Sequence, residues 1–417
     1  MSTPEPPPQW PHCAHNADPA ADPIGCRGVR VPGNAACLAH LPDDERAIYL
    51  TGLTPGADID HRGTSFSAAL LDELLNPLRD FATGRALLGA AAFDSATFES
   101  GVEFSTATFR GVAGFERVTF QGAARFGGVT FEARAVFESA TFQLSAVFGT
   151  VIFADDAAFN RATFEDYAGF KGATFERRAG FELTNFRSTA EFESATFEGY
   201  AGFDGATFAY IVGFDRAVFN GNAGFTSATF HDLARFISAT FRGIAHFGTA
   251  TFESVATFKS GTFQGIAVFA SVTFGSTVVF ESAEFHDIAL YESTVFLKQV
   301  DLGPLVARWV DLSGAVFNGP TTLRLAACQL MCLRTRWLST AELQLRHTAV
   351  DLTHAVFEYP LTVAAQAEPF PLVGGVVMPE QVLADAADTA VRVASLRGVD
   401  AAHLVLADVD LSSCLFT

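Results

Sequence analysis

The chain is short of basic residues, of tryptophan and tyrosine, and of long apolar runs, and each shortage closes off a class of protein. Its 27 Lys and Arg stand against 46 Asp and Glu, a formal charge of −19, so it repels phosphate backbones and direct nucleic-acid binding is not expected. No uninterrupted 18-residue apolar stretch occurs, so no membrane span is expected in this chain. The opening MSTPEPPPQW lacks the basic and apolar regions of an export signal, which predicts a cytoplasmic location. Gly-rich phosphate loops, nucleophile elbows and paired His residues for acid–base work are missing as well, and the expectation is a protein that is not an enzyme. What abounds is phenylalanine: 43 Phe against 6 Tyr and 3 Trp, in a chain that is 49% hydrophobic and 18% charged. That much apolar surface offsets chain entropy, so the chain folds, and one residue type dominates its interior.

From Phe93 to Phe296 the aromatics fall at spacings alternating strictly between five and six, a period of eleven held over 38 positions, 37 of them Phe and one Tyr291. Two residues before each sits Ala or Val, occasionally Thr or Gly, as in Ala96-Thr97-Phe98 and Val118-Thr119-Phe120. Eleven residues are also close to three helical turns. A helix is excluded because a step of five rotates a side chain by roughly 140°, placing successive Phe residues on different faces. As a strand, Ala-Thr-Phe points in, out, in, and the next two or three residues make a corner. The chain therefore coils as short β-segments around a Phe-filled interior.

The phrase Phe-x-x-Ala-Thr-Phe-x-x-x-Ala-x-Phe resembles the Phe-centred variety of the pentapeptide-repeat family over residues 93–296. The resemblance implies an all-β solenoid: a right-handed quadrilateral β-helix with four short sides per coil, here with a small N-terminal helical cap. The family's repeat is five throughout, whereas alternate sides here carry six, so each coil is expected to take two periods of eleven, with bulge-like corners on two sides. A flattened two-sided coil of eleven is the alternative. The resemblance further implies a non-catalytic scaffold or protein-interaction module whose protein partner is not identified. It also offers a second reading, since some members mimic DNA with an acidic rod and bind a type II topoisomerase, DNA gyrase.

Four regions are expected: a Cys/His-containing segment over 1–45, a helical cap and first solenoid strand over 46–90, the regular ladder over 91–300, and an irregular continuation over 301–417. In the second region the pattern predicts a helix from Asp43 to Leu53, a strand at Ala57-Asp58-Ile59-Asp60, and a helix over 64–81. Thr64-Ser65 would cap that last helix, Phe66, Leu70, Leu71, Leu74, Leu75 and Leu78 form its apolar stripe, and Pro77 kinks or ends it. In the fourth region Val310-Asp311-Leu312-Ser313, Val350-Asp351-Leu352-Thr353 and Val409-Asp410-Leu411-Ser412 carry the solenoid on, interrupted by a helical insertion near 364–398 opened by Pro379-Glu380-Gln381. Phe416-Thr417 fall in mid-repeat. This predicts an open end that pairs with a second copy as a homodimer, meets another partner, or continues into a longer polypeptide.

Two sets of residues are candidate sites. Cys13, Cys26 and Cys37 with His15 or His40 would supply the four donors of a structural zinc; reduced structural thiols and a disulfide are the alternatives. Cys328, Cys332 and Cys414 read as buried small hydrophobes. With a 22-residue coil, Asp94, Glu116, Glu138, Asn160, Glu182 and Asp204 line up in one outward column, five carboxylates in six positions and a candidate interaction surface. Its plain reading is a solvated face that maintains solubility.

Overall fold

A computed structural model describes residues 7–372, 375–384 and 390–416. The chain divides into two compact units, Met1–Glu191 and Phe192–Thr417, and each contains a parallel β-solenoid. Among the described residues no helix is long and apolar enough to cross a membrane.

In the first unit Thr97-Phe98 pairs in parallel with Thr119-Phe120, which pairs with Thr141-Phe142, then Thr163-Phe164, then Asn185-Phe186. Between Thr97 and Thr119 lie three further sides, Val102–Glu103, Thr108–Phe109 and Ala113–Gly114, each paired with its own counterpart two periods on. The coil is thus four-sided, and one circuit takes two of the eleven-residue periods. An eleven-residue coil would have placed Thr97 against Thr108, and the observed register excludes it. Two-residue strands suffice because each is hydrogen-bonded above and below, with its inward side chain locked in a stack.

The alternation in the sequence becomes an alternation of burial. Every ladder Phe is at most 1% exposed and Tyr291 is 3% exposed, while the Ala or Val two residues earlier is buried beside it. Rings on equivalent sides stack at the strand spacing: Phe115 and Phe137 have centroids 4.8 Å apart and planes within 1°. Rings on opposite sides meet edge to face across the interior, as Phe126 and Phe137 do at 5.5 Å and 86°. The register dictates the stack, and the edge-to-face contacts set a positive ring edge against a negative ring face.

The five- and six-residue steps differ at their corners. Each five-residue step closes a four-residue turn, with Ala96 N–H donating to the Phe93 carbonyl at 2.8 Å and Ser95 in the left-handed region at φ 59°. The same position recurs every eleven residues, as at Thr106, Arg117 and Ser139. The six-residue steps pass their corner without a left-handed residue, and the pairings of the first unit show no register shift, so these corners are not β-bulges. A left-handed Ser is tolerated at modest cost, and so is Thr, whose hydroxyl bonds locally as Thr150 does to the Gly149 carbonyl at 2.8 Å, whereas Val is β-branched without a hydroxyl and is strained there. Ser139→Val is therefore expected to lower stability by about 1–3 kcal/mol and Ser139→Gly to leave it within about 1 kcal/mol of wild type, read by guanidinium unfolding. Equal losses in both variants would contradict the turn.

At the start of this solenoid Ile59–Asp60 pairs with Ala91–Ala92, and Ser65–Phe66 pairs with Thr97–Phe98. Helix α1 runs Asp43–Thr51, two residues short of the expected end. The expected helix over 64–81 is shorter too: Ser65 and Phe66 are strand, and helix α2 runs Ala68–Leu75, followed by a 3-10 turn at Asn76–Leu78. Ser67, not Thr64-Ser65, is the cap, its Oγ accepting from Leu70 N–H at 3.2 Å. Leu70, Leu71, Leu74, Leu75 and Leu78 are buried as the stripe predicted. Arg46 ties α1 to α2 through Glu73 at 3.1 Å.

In the second unit the 22-residue register holds from Thr196-Phe197 through Val218-Phe219, Thr240-Phe241 and Thr262-Phe263 to Glu284-Phe285. Val295 then faces Val316, Val316 faces Arg336, and Arg336 faces Val356, so the coil loses one residue and then another. Phe317 and Trp337 continue the stack at 4.1 Å. Here the short sides fuse into long strands, Val300–Asp311 and Thr321–Met331, which the sequence presented as lost periodicity. The Val-Asp-Leu phrase has a physical basis: Asp311 and Asp351 each accept the backbone N–H two residues on, at 2.8 and 2.9 Å, turning the chain while Leu312 and Leu352 point inward.

The insertion near 364–398 contains, among its described residues, one 3-10 turn, Gln381–Leu383, and a strand, Arg392–Ser395, rather than a longer helix; residues 385–389 lie outside the described set. Phe370, Met378 and Leu383 bury against Val306 and Ala326 of the long strands. The buried Arg346 guanidinium donates to Glu380 at 2.6 Å and to the Gln366 carbonyl at 3.0 Å, so the insertion is fastened to the solenoid.

Candidate metal centre and outward faces

The N-terminal segment folds back on itself before it meets the first coil. Cys13 N–H donates to the Gly28 carbonyl and Ala14 N–H to that of Cys26, both at 2.8 Å, while Cys26 N–H donates to the His15 carbonyl at 2.9 Å. This doubling brings Cys13 and Cys26 together. Cys37 precedes a 3-10 turn, Leu38–His40, that carries the His40 ring back over the sulfur. The donor atoms of Cys13, Cys26, Cys37 and His40 all lie within 4.8 Å of one another. Cys13 Sγ is 3.6 Å and Cys37 Sγ 3.4 Å from His40 Nδ1, and Cys26 Sγ is 3.7 Å from Cys37 Sγ. All these cysteines are free thiols. His15 is not in the group; it stacks on the His40 ring at 4.1 Å. Gly28 is needed where it stands, because a Cβ there would come within 2.8 Å of Cys37 Sγ. A hydrogen bond from the Cys37 thiol pulls Cys26 down to about 5, and the same bond, together with burial, pushes Cys37 up.

Of the other three cysteines, Cys332 is fully buried and Cys328 packs against the Phe370 cluster, as small hydrophobes do. Cys414 is only partly covered.

The outward column is less bare than its sequence suggests. In the first unit Glu116 pairs with Arg117 at 3.2 Å, Glu138 with Arg134 at 3.1 Å, and Glu182 with Arg178. Asp94 accepts the Glu116 N–H at 3.0 Å, and burial pushes its carboxyl above the usual range. In the second unit Asp204 accepts from the Tyr200 hydroxyl and from Thr226 N–H, both at 2.7 Å. Two of the five carboxylates therefore hold backbone in place, and three are matched by arginine.

Sequence reasoning missed an apolar counterpart in the second unit. Ile244, Ile266 and Ile288 precede Ala245, Ala267 and Ala289, which pair in register, and Trp309 sits opposite Ile288 in the next coil. Ile244 is 40% and Trp309 36% exposed, so this stripe faces outward. Stepping through the sequence two periods at a time from Ile244 would have found it.

Parallel pairing, four sides and a closed aromatic interior define a repeat protein of the β-solenoid class. Residues 93–141, 159–207 and 214–262 match the family model described as Pentapeptide repeats (9 copies), so these stretches of the Phe ladder are pentapeptide repeats. No curated protein and no solved structure matches the chain.

Proposed function

We propose that this chain is a non-catalytic scaffold that binds a protein partner on its outward faces. The observation that carries this reading is the closed interior: with ladder rings at most 3% exposed, chemistry and recognition are left to what the coils present outward. Equivalent side chains recur there at strand spacing, which lets one partner read several coils at once. The test is affinity capture from the native host with three baits: the intact chain, a column variant (Asp94→Asn, Glu116→Gln, Glu138→Gln, Glu182→Gln) and a stripe variant (Ile244→Asp, Trp309→Asp). A protein held by the intact chain and lost from one variant supports the reading and locates the face. A bait that enriches nothing beyond a heat-unfolded control overturns it.

The second reading, acidic mimicry of DNA directed at DNA gyrase, is favoured by the net charge of −19 and opposed by the arginines beside Glu116, Glu138 and Glu182. The expected result of a supercoiling assay is no inhibition even at large molar excess. Inhibition at stoichiometric concentration would reverse the order of the two readings.

A further inference from the structure

We propose that Cys13, Cys26, Cys37 and His40 bind one Zn(II) ion, which ties together the loops of the N-terminal segment that pack on the first coil of the solenoid. The inference stands on distances and is independent of the scaffold reading. A tetrahedral zinc with bonds of about 2.3 Å to sulfur and about 2.0–2.1 Å to nitrogen sets sulfur–sulfur edges near 3.8 Å and sulfur–nitrogen edges near 3.5 Å. Three of the six edges match, at 3.7 Å between Cys26 and Cys37 and 3.4 and 3.6 Å from His40 to Cys37 and Cys13, and every pair of donors lies within 4.8 Å. A disulfide between Cys26 and Cys37 would need a sulfur separation of about 2.05 Å; at 3.7 Å the two are separate thiols, spaced as two sulfur donors on one zinc are.

The surroundings suit three thiolates and one neutral imidazole. Gly28 N–H donates to Cys26 Sγ at 3.4 Å, a bond that strengthens as the sulfur gains negative charge. His15 stacks on His40 and fixes its ring plane without joining the donor set. Binding displaces the thiol protons and leaves a site of net charge −1, four nitrogen and sulfur donors closing the tetrahedron with no position left open for a substrate. The role is therefore structural.

What the ion would hold together is weak without it. The buried aliphatic side chains between residues 7 and 41 are Val29, Val31, Leu38 and Leu41, a small core for that length. The segment nevertheless meets the solenoid closely. Val29 N–H donates to the Arg62 carbonyl at 2.7 Å, and the Arg62 guanidinium lies 5.0 Å from the centre of the Trp10 ring. A metal that fixes Cys13, Cys26 and Cys37 fixes the loops bearing these contacts.

The test uses the full-length protein. Metal analysis is expected to give one zinc per chain, falling to background in Cys26→Ser and His40→Ala and unchanged in His15→Ala. Because the first two variants could lose their segment for other reasons, the wild-type protein is also stripped by chelator and reloaded with Co(II). Thiolate-to-cobalt charge-transfer absorption with tetrahedral d–d bands supports the site, as does slower alkylation of Cys13, Cys26 and Cys37 after Zn(II) is restored. Zinc content indifferent to Cys26→Ser and His40→Ala, or octahedral cobalt spectra without charge transfer, would overturn it.

Discussion

Phe137→Ala is expected to cost about 3–5 kcal/mol, and the other fully buried ladder Phe residues of the first unit are expected to cost a similar amount. Phe137 is fully buried, stacks on Phe115 and Phe159 at 4.8 Å each, and meets Phe126 and Phe148 edge to face at 5.5 Å. Alanine removes all four contacts and leaves a cavity whose walls cannot close, because each neighbour is held by its own backbone register. The control is the next residue, Glu138→Gln, which gives up an exposed ion pair with Arg134 and should shift stability by at most about 1 kcal/mol. Guanidinium unfolding measures the two variants. Hydrogen exchange should show the loss concentrated in the coils of Phe115, Phe137 and Phe159, since each coil depends mainly on its neighbours. A Phe137→Ala cost below about 1 kcal/mol would mean that the interior is not close-packed.

The second large effect is a loss of stability in mild acid that one histidine causes. His61 takes the place of a Phe at the first coil, directly beneath Phe93 and edge-on to Phe66 and Tyr49. Burial pulls its pKa down to about 4 against only partial opposition from Asp60, its Nε2 lies 3.3 Å from the Tyr49 hydroxyl, and its Nδ1 has no partner. The folded chain thus keeps His61 neutral at a pH where the unfolded chain, with a pKa near 6.5, is already protonated. Stability from this source is complete above pH 6.5 and is lost as pH falls toward 4, by roughly 3 kcal/mol in all. His61→Phe should restore the ladder and flatten this part of the profile. Apart from Asp60, which interacts with His61, the carboxylates are common to both proteins, so the difference between wild type and variant, measured by denaturant unfolding at pH 7.5 and 4.5, reports the histidine and its coupling to Asp60. Parallel pH profiles would refute the assignment.

How far the fold could be read in advance depends on how many forces agreed at a position. The Phe ladder was legible because each Phe must be inside and a five–six spacing lets no helix put it there. Thr64-Ser65-Phe66 was ambiguous: it reads both as a cap before a leucine stripe and as a ladder phrase. Pairing of Phe66 with Phe98 decided for the ladder and moved the cap to Ser67. His61 escaped notice because α2 and its flanks lie between it and Phe93, stretching the interval beyond an ordinary coil and hiding the register. In the N-terminal segment, composition supplied the cysteines but could not choose between His15 and His40. That choice rests on a 3-10 turn too short to leave a pattern. Outward stripes such as Ile244 to Trp309 are invisible until the length of a coil is known.

Because the sequence repeats every eleven residues while the backbone closes only after two such repeats, the gene can grow in steps smaller than one full circuit. Gaining two repeats lengthens the stack and keeps every column aligned. Gaining one leaves the aromatic interior unchanged, yet carries everything downstream half-way around the axis and exchanges opposite faces. A single duplication can thus redraw the molecule's exterior without touching what holds it together.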